Sequence, residues 1–152
     1  MRITIAAAGR FRGGPERALY ETYAKRISWP IDLKEIEERG KLNPASQRAR
    51  ETERLLGAVP GGAVLIALDE TGSALTSRAF AARIGRWRDD GVSGLVFAIG
   101  GAEGLDRTLI ERASLVLSLG SMTWPHLMVR AMLAEQLYRA EAILRGHPYH
   151  RG

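Results

Sequence analysis

Three stretches of this 152-residue chain hold residue types that do chemistry, spaced closely enough to act together. The first is Gly100-Gly101-Ala102-Glu103-Gly104. A glycine run lets backbone come close to a ligand, or makes a tight strand-to-helix turn at positive φ, and both readings are open here. It is not a dinucleotide fingerprint, because Ala102 stands where the second glycine of G-x-G-x-x-G belongs. It is not a phosphate loop, because no Lys-Ser or Lys-Thr ends it, and Glu103 would repel a pyrophosphate.

The second stretch is Gly120-Ser121-Met122-Thr123-Trp124-Pro125-His126. It suits a flat heteroaromatic ring, read by backbone amides and packed by apolar side chains. The competing reading makes Met122 and Trp124 plugs for the core. His126 falls in the first turn of a helix, where the dipole disfavours its charged form, so a neutral imidazole is expected, as a base or as a structural group. The third stretch is His147-Pro148-Tyr149-His150-Arg151, whose stacking and cationic groups suit an unstacked base and its phosphates.

Other chemistries lack their residues. There is no cysteine, which removes disulfides, zinc fingers, iron–sulfur sites and a thiol nucleophile. The three histidines have no metal-ligand spacing, so no metal is expected. No G-x-S-x-G elbow occurs, and Ser118 and Ser121 have no evident base and orienter.

The elements that must position these stretches alternate along the chain. Ile3–Ala8, Ile31–Ile36, Ala63–Leu68, Gly94–Ile99 and Leu115–Leu119 read as strands. Helices are expected from Pro15 to the Trp29-Pro30 stop, from Asn43-Pro44 to Gly57, from Thr76 or Ser77 to Asp90, from Asp106 to Ala113, and from Pro125 to Arg145 with Gly146 behind. Asp69-Glu70-Thr71-Gly72 reads as a polar loop. Strands separated by helices imply a layered α/β fold with a mostly parallel sheet. Ligands then sit at the carboxyl ends of the strands, among the loops 69–74, 100–105 and 120–126.

The length implies a single domain over 1–152. Hydrophobic residues at 45% and charged residues at 26% exclude wholesale disorder. The net charge of +5 points to an acidic partner, nucleic acid foremost, or to a solvated arginine-rich surface. No apolar run nears the ~20 residues of a membrane span, and Arg10 and Arg12 interrupt the first apolar run too early for a secretory signal. A cytoplasmic protein without a membrane partner is expected. The last helix is apolar on more than one face, as a helix buried deep in a core or against a second subunit would be.

Leu68-Asp69, Ile99 to Leu105, Met122 to His126 with Arg130, Glu135-Gln136-Leu137-Tyr138-Arg139-Ala140, and the ending His147 to Arg151 together resemble the ribosomal RNA large subunit methyltransferase H family of SPOUT methyltransferases. The resemblance covers the whole chain, strongly in the last third and faintly before Gly61. The chain departs from the pattern at Ala102 and at Gly9-Arg10-Phe11. The resemblance implies an α/β fold with a C-terminal trefoil knot, a homodimer, and S-adenosylmethionine as methyl donor without a metal. It implies methylation of 23S ribosomal RNA at N3 of a pseudouridine, on the large subunit or the assembled 70S ribosome. By position, Leu68, Gly101, Ser121, Met122, Thr123, Trp124, Pro125 and His126 would hold the cofactor. Arg139, Tyr149, His150 and Arg151 would meet RNA, with His150 the candidate base. A catalytically silent basic α/β module that docks on ribosomal RNA would also explain the charge. An α/β enzyme using an ordinary nucleotide is opposed by the failed phosphate motifs.

Overall fold

The computed structural model describes residues 1–37, 40 and 42–152. Among these residues five strands form one sheet: β1 (Arg2–Ala8), β2 (Ile31–Ile36), β3 (Val64–Ser73), β4 (Gly94–Ile99) and β5 (Leu115–Leu117). Their order is β2-β1-β4-β3-β5, and every pairing is parallel. The connections carry α1 (Pro15–Ala24), α2 (Pro44–Gly57), α3 (Ser77–Asp89), α4 (Arg107–Arg112) and α5 (His126–Arg145).

Both faces of the sheet are covered, which is why β1 and β4 are apolar almost throughout. On one face Ile5 and Phe97 meet Tyr20 of α1, Phe80 and Ile84 of α3, and Leu133 and Leu137 of α5. On the other, Ala6, Val96 and Ala98 meet Leu55 of α2 and Leu109 of α4.

Local signals place the helix ends. Asn43 accepts from Ser46 N–H and Thr76 from Ala79 N–H, and Pro44 supplies the fixed φ of a first helical turn. Gly146 closes α5 in the left-handed conformation at φ +71°. Helix α1 ends at Ala24, before the proline stop expected at Trp29-Pro30.

The polar segment 69–72, expected as a loop, is strand: β3 runs on to Ser73. Its register on β5 shifts, so that Leu68 and Ser73 both pair with Leu117 and the residues between them bow outward. Gly72 permits the return, since a Cβ there would stand 2.5 Å from the Val116 carbonyl oxygen. Strand β5 is correspondingly short, ending at Leu117 rather than Leu119.

Candidate functional site

The ends of β4 and β5 and the bowed middle of β3 open into a cavity of about 490 Å³, within the size range of small-molecule sites. Ile99 and Leu117 reach it from the strand ends and Leu68 from where β3 bows, Gly100 to Leu105 form one wall, and Met122 to His126 form another. Leu119, Gly120 and Val129 complete the apolar lining, and the bowed Asp69 and Glu70 close the rim. Thr123 Oγ1 donates to Glu70 Oε2 at 2.9 Å and ties the two edges together.

Of the residues expected to hold a cofactor, Leu68, Gly101, Met122, Thr123, Trp124, Pro125 and His126 all line this one space. Ser121 is exposed and is not part of the lining. Met122 and Trp124 do not plug the core, for they are 71% and 38% exposed. Asp69, Glu70, Ile99, Leu117 and Val129 join the lining without being expected cofactor residues, although Asp69 and Glu70 fall in the expected 69–74 segment.

The glycine loop is built by close approach more than by positive φ. A Cβ on Gly100 would stand 2.6 Å from the Gly104 carbonyl carbon, and Gly104 N–H bonds back to the Gly101 carbonyl at 3.0 Å. Only Gly104 of the three glycines has a left-handed φ, at +75°. Helix α2 supports the wall from behind, where Thr52 Oγ1 accepts from Asp106 N–H at 3.2 Å.

The charge of the cavity is opposite to that of the chain. Asp69, Glu70 and Glu103 line it, and no lysine or arginine does among the described residues. The His126 imidazole is held below its ordinary pKa of 6.5, first by burial and then by the Arg130 guanidinium. The neutral form expected at a helix start is therefore favoured, with burial as the leading cause.

Arg130 is 0% exposed. It donates to Glu35 Oε2 at 2.8 Å, to the Ala8 carbonyl at 3.0 Å and to the Gly9 carbonyl at 2.8 Å. Glu35 also accepts from Phe11 N–H at 2.7 Å, and the guanidinium lies 4.7 Å from the Phe11 ring centroid. The loop after β1 is thus locked onto α5 beside His126.

Of the expected RNA-facing residues, Arg139, Tyr149 and His150 form a second cluster, and neither these nor Arg151 line the cavity. Tyr149 packs edge-on to Tyr138 at 4.7 Å and donates to Glu135 Oε1 at 3.2 Å, with Arg139 lying 4.8 Å from its ring centroid. Arg139 bonds Glu135 at 2.9 Å, and that acceptor strengthens its hold on its proton. Arg139 also faces His150 Nδ1 at 3.1 Å. A guanidinium only donates, so Nδ1 accepts and the ring proton sits on Nε2. Arg78 holds the Gly152 carbonyl, and Arg151 is exposed. The tail is docked on α5 and α3 rather than frayed.

A family model described as a predicted SPOUT methyltransferase matches residues 1–150. Among solved structures, a probable methyltransferase from Bordetella pertussis Tohama I aligns with a TM-score of 0.57 at 12% identity, over 91% of this chain and 95% of that one. A ribosomal RNA small subunit methyltransferase E from Neisseria gonorrhoeae, bound to S-adenosyl methionine, aligns at 0.50 and 14% identity, over 95% of this chain and 66% of that one. These two likenesses concern the fold. Among curated proteins, ribosomal RNA large subunit methyltransferase H of Rhodospirillum centenum is 53% identical over 151 residues, and that of Paramagnetospirillum magneticum 52%, each alignment spanning 99% of both chains. The chain belongs to the SPOUT methyltransferases and, within them, to the ribosomal RNA large subunit methyltransferase H family.

Proposed function

We propose that this protein transfers a methyl group from S-adenosylmethionine to N3 of a pseudouridine in large-subunit ribosomal RNA, acting in the cytoplasm on the large subunit or the whole ribosome. The names of its relatives support ribosomal RNA methylation. One observation in the molecule carries the choice of cofactor: an acidic cavity in a chain of net charge +5. A nucleotide with phosphates would meet three carboxylates there and, among the described residues, no cation. S-adenosylmethionine carries a sulfonium and an ammonium, and its adenosyl part is flat and neutral. The residues present fit that group.

When bound, the donor supplies an electrophilic methyl on a sulfur leaving group. The chain positions two reactants and assists loss of the N3 proton. Leu68, Gly101 and the segment Met122–His126 hold the adenosyl part, with Met122 and Trp124 folding over it. Neutral His126 can donate or accept a hydrogen bond without adding positive charge. Arg139, Tyr149, His150 and Arg151 engage the RNA. His150 is the candidate base for the N3 proton.

A homodimer belongs to this reading. The tail cluster is absent from its own cavity, so a second copy would supply it. A groove lined by Leu19, Tyr23, Phe80, Met128 and Met132 offers the face for that copy, with Leu19 and Met128 both exposed. The trefoil knot that the resemblance implies is part of the same proposal.

Calorimetric titration with S-adenosylmethionine, and methyl incorporation into ribosomes lacking the modification, test the function. Micromolar-range binding and incorporation at one pseudouridine are expected. A chain that binds ribosomes without binding the donor would leave only a docking module. Light scattering tests the dimer, which a monomeric mass with full activity would exclude.

A further inference from the structure

Glu51 of α2 stands outside the ring of residues lining the cavity, but its carboxylate lies against the wall. Both oxygens are 3.4 Å from the point where a Cβ of Gly101 would be. Its charge also reaches His126, on the opposite wall. The residue is 8% exposed. Oε2 accepts from Gln47 Nε2 at 3.0 Å, while Oε1 is buried without a hydrogen-bond partner. Among the described residues, no ion pair compensates it.

Such a group is costly to keep. A buried carboxylate oxygen without a donor forfeits its hydration and gains nothing in return. The neighbouring acids are served otherwise: Glu70 accepts from Thr123, Asp69 accepts from Thr71, and Glu103 is exposed. Gly101, which lines the cavity, lies against the Glu51 carboxylate.

We propose that Glu51 is a cofactor-binding residue whose free Oε1 accepts a hydrogen bond from the α-ammonium at the amino-acid end of the methyl donor. This rests on the S-adenosylmethionine reading given above. Three features select that group. The sign is right, since the carboxylate is anionic and the ammonium cationic. The vacant lone pair needs an N–H donor, which a sulfonium does not have. Burial excludes a base carried on an RNA backbone, and the small end of the donor reaches Oε1 by displacing the Gly101 wall that covers it. The amino group of adenine is also an N–H donor, but it is neutral and matches the neutral backbone amides of the 122–126 segment.

The test compares Glu51→Gln with the unmodified protein against three probes: S-adenosylmethionine, S-adenosylhomocysteine and 5′-methylthioadenosine. The third lacks the amino-acid end and reports whether the adenosyl site is intact. The expected result is a loss of about tenfold or more for the first two, the size of a charged hydrogen bond, with the third unchanged. An equal loss for all three would overturn the proposal, because Glu51 would then only brace the wall. Unchanged affinities would overturn it too, and a turnover that loses its acidic pH limb alongside them would make Glu51 a proton acceptor for the RNA. If the unmodified protein binds none of the probes, the donor site itself fails and this inference with it.

Discussion

Replacing Gly100 by alanine asks whether close backbone approach, rather than glycine's torsional freedom, shapes the cavity wall. An ideal Cβ at Gly100 stands 2.6 Å from the carbonyl carbon of Gly104, 2.7 Å from its oxygen and 2.9 Å from Leu105 N. All three are backbone atoms, so no rotamer change relieves the clash. Ordinary contact begins at 3.4 Å, so the two sides of the loop must part by roughly 0.8 Å. That movement breaks the bond from Gly104 N–H to the Gly101 carbonyl. Overpacking of this kind costs about 1–3 kcal/mol, and the lost hydrogen bond about 1 kcal/mol. A total of about 2–4 kcal/mol leaves a domain of this size folded and lowers its melting temperature by roughly 4–16 °C. The loop lines the cavity, so donor affinity should fall at least about tenfold, in keeping with the sensitivity of such sites to displacements near 1 Å. Gly104→Ala is the control. Nothing lies within 4 Å of its Cβ, and its φ of +75° adds only left-handed strain of about 1–2 kcal/mol. Thermal melts and donor titration of both variants decide the matter. A Gly100→Ala protein that melts and binds like the unmodified one would refute the reasoning, as would a Gly104→Ala protein that is the worse of the two.

Gly101→Val should abolish donor binding in a folded protein, because its methyl groups must enter either the cavity or the space before Glu51; calorimetry with unchanged affinity would remove this loop from the site. Arg130→Met should cost about 3–5 kcal/mol by denaturant titration, since it strands Glu35 and two carbonyls, and a loss below about 1 kcal/mol would show the guanidinium to be dispensable. Deleting residues 147–152 should end methyl incorporation while sparing donor affinity, and it should also lower the melting temperature because Tyr149 packs on Tyr138; normal turnover would exclude the tail from the reaction. His126 has a folded-state pKa below its ordinary 6.5, so the unfolded chain binds the proton more readily. The stability this imidazole contributes is full above 6.5 and is lost as pH falls through the folded value. His126→Asn should flatten that slope in melts across the acidic range, and identical slopes would refute it.

How much of this was legible in the chain depends on the distance over which each feature is determined. Thr76, Asn43-Pro44, Pro125 and Gly146 act on backbone groups a few residues away, so the helix ends could be read from their neighbours. β1, β4, β5 and the first half of β3 were legible because burial on both faces demands unbroken apolar runs, and β2 because Ile31, Leu33 and Ile36 recur among charged residues. The three loops at the carboxyl ends followed from parallel order, and their convergence on one cavity did too. Other features arise from contacts between distant segments. Asp69 to Gly72 look like a turn, yet they continue β3 because Gly72 can pass beside Val116 on a strand more than forty residues on. Arg130 reads as one more surface charge on a long helix, and is buried because Glu35 and the end of β1 close around it. Glu141 reads as an i, i+4 partner of Arg145. In the fold it accepts from Ser28 N–H at 3.0 Å and from the Ser28 hydroxyl at 2.7 Å, while its separation from Arg145 is 4.0 Å. Glu51 gives no sign among the charges of α2. Whether a carboxylate is solvated or stranded depends on which distant backbone lies over it, and that is decided only when the chain has packed.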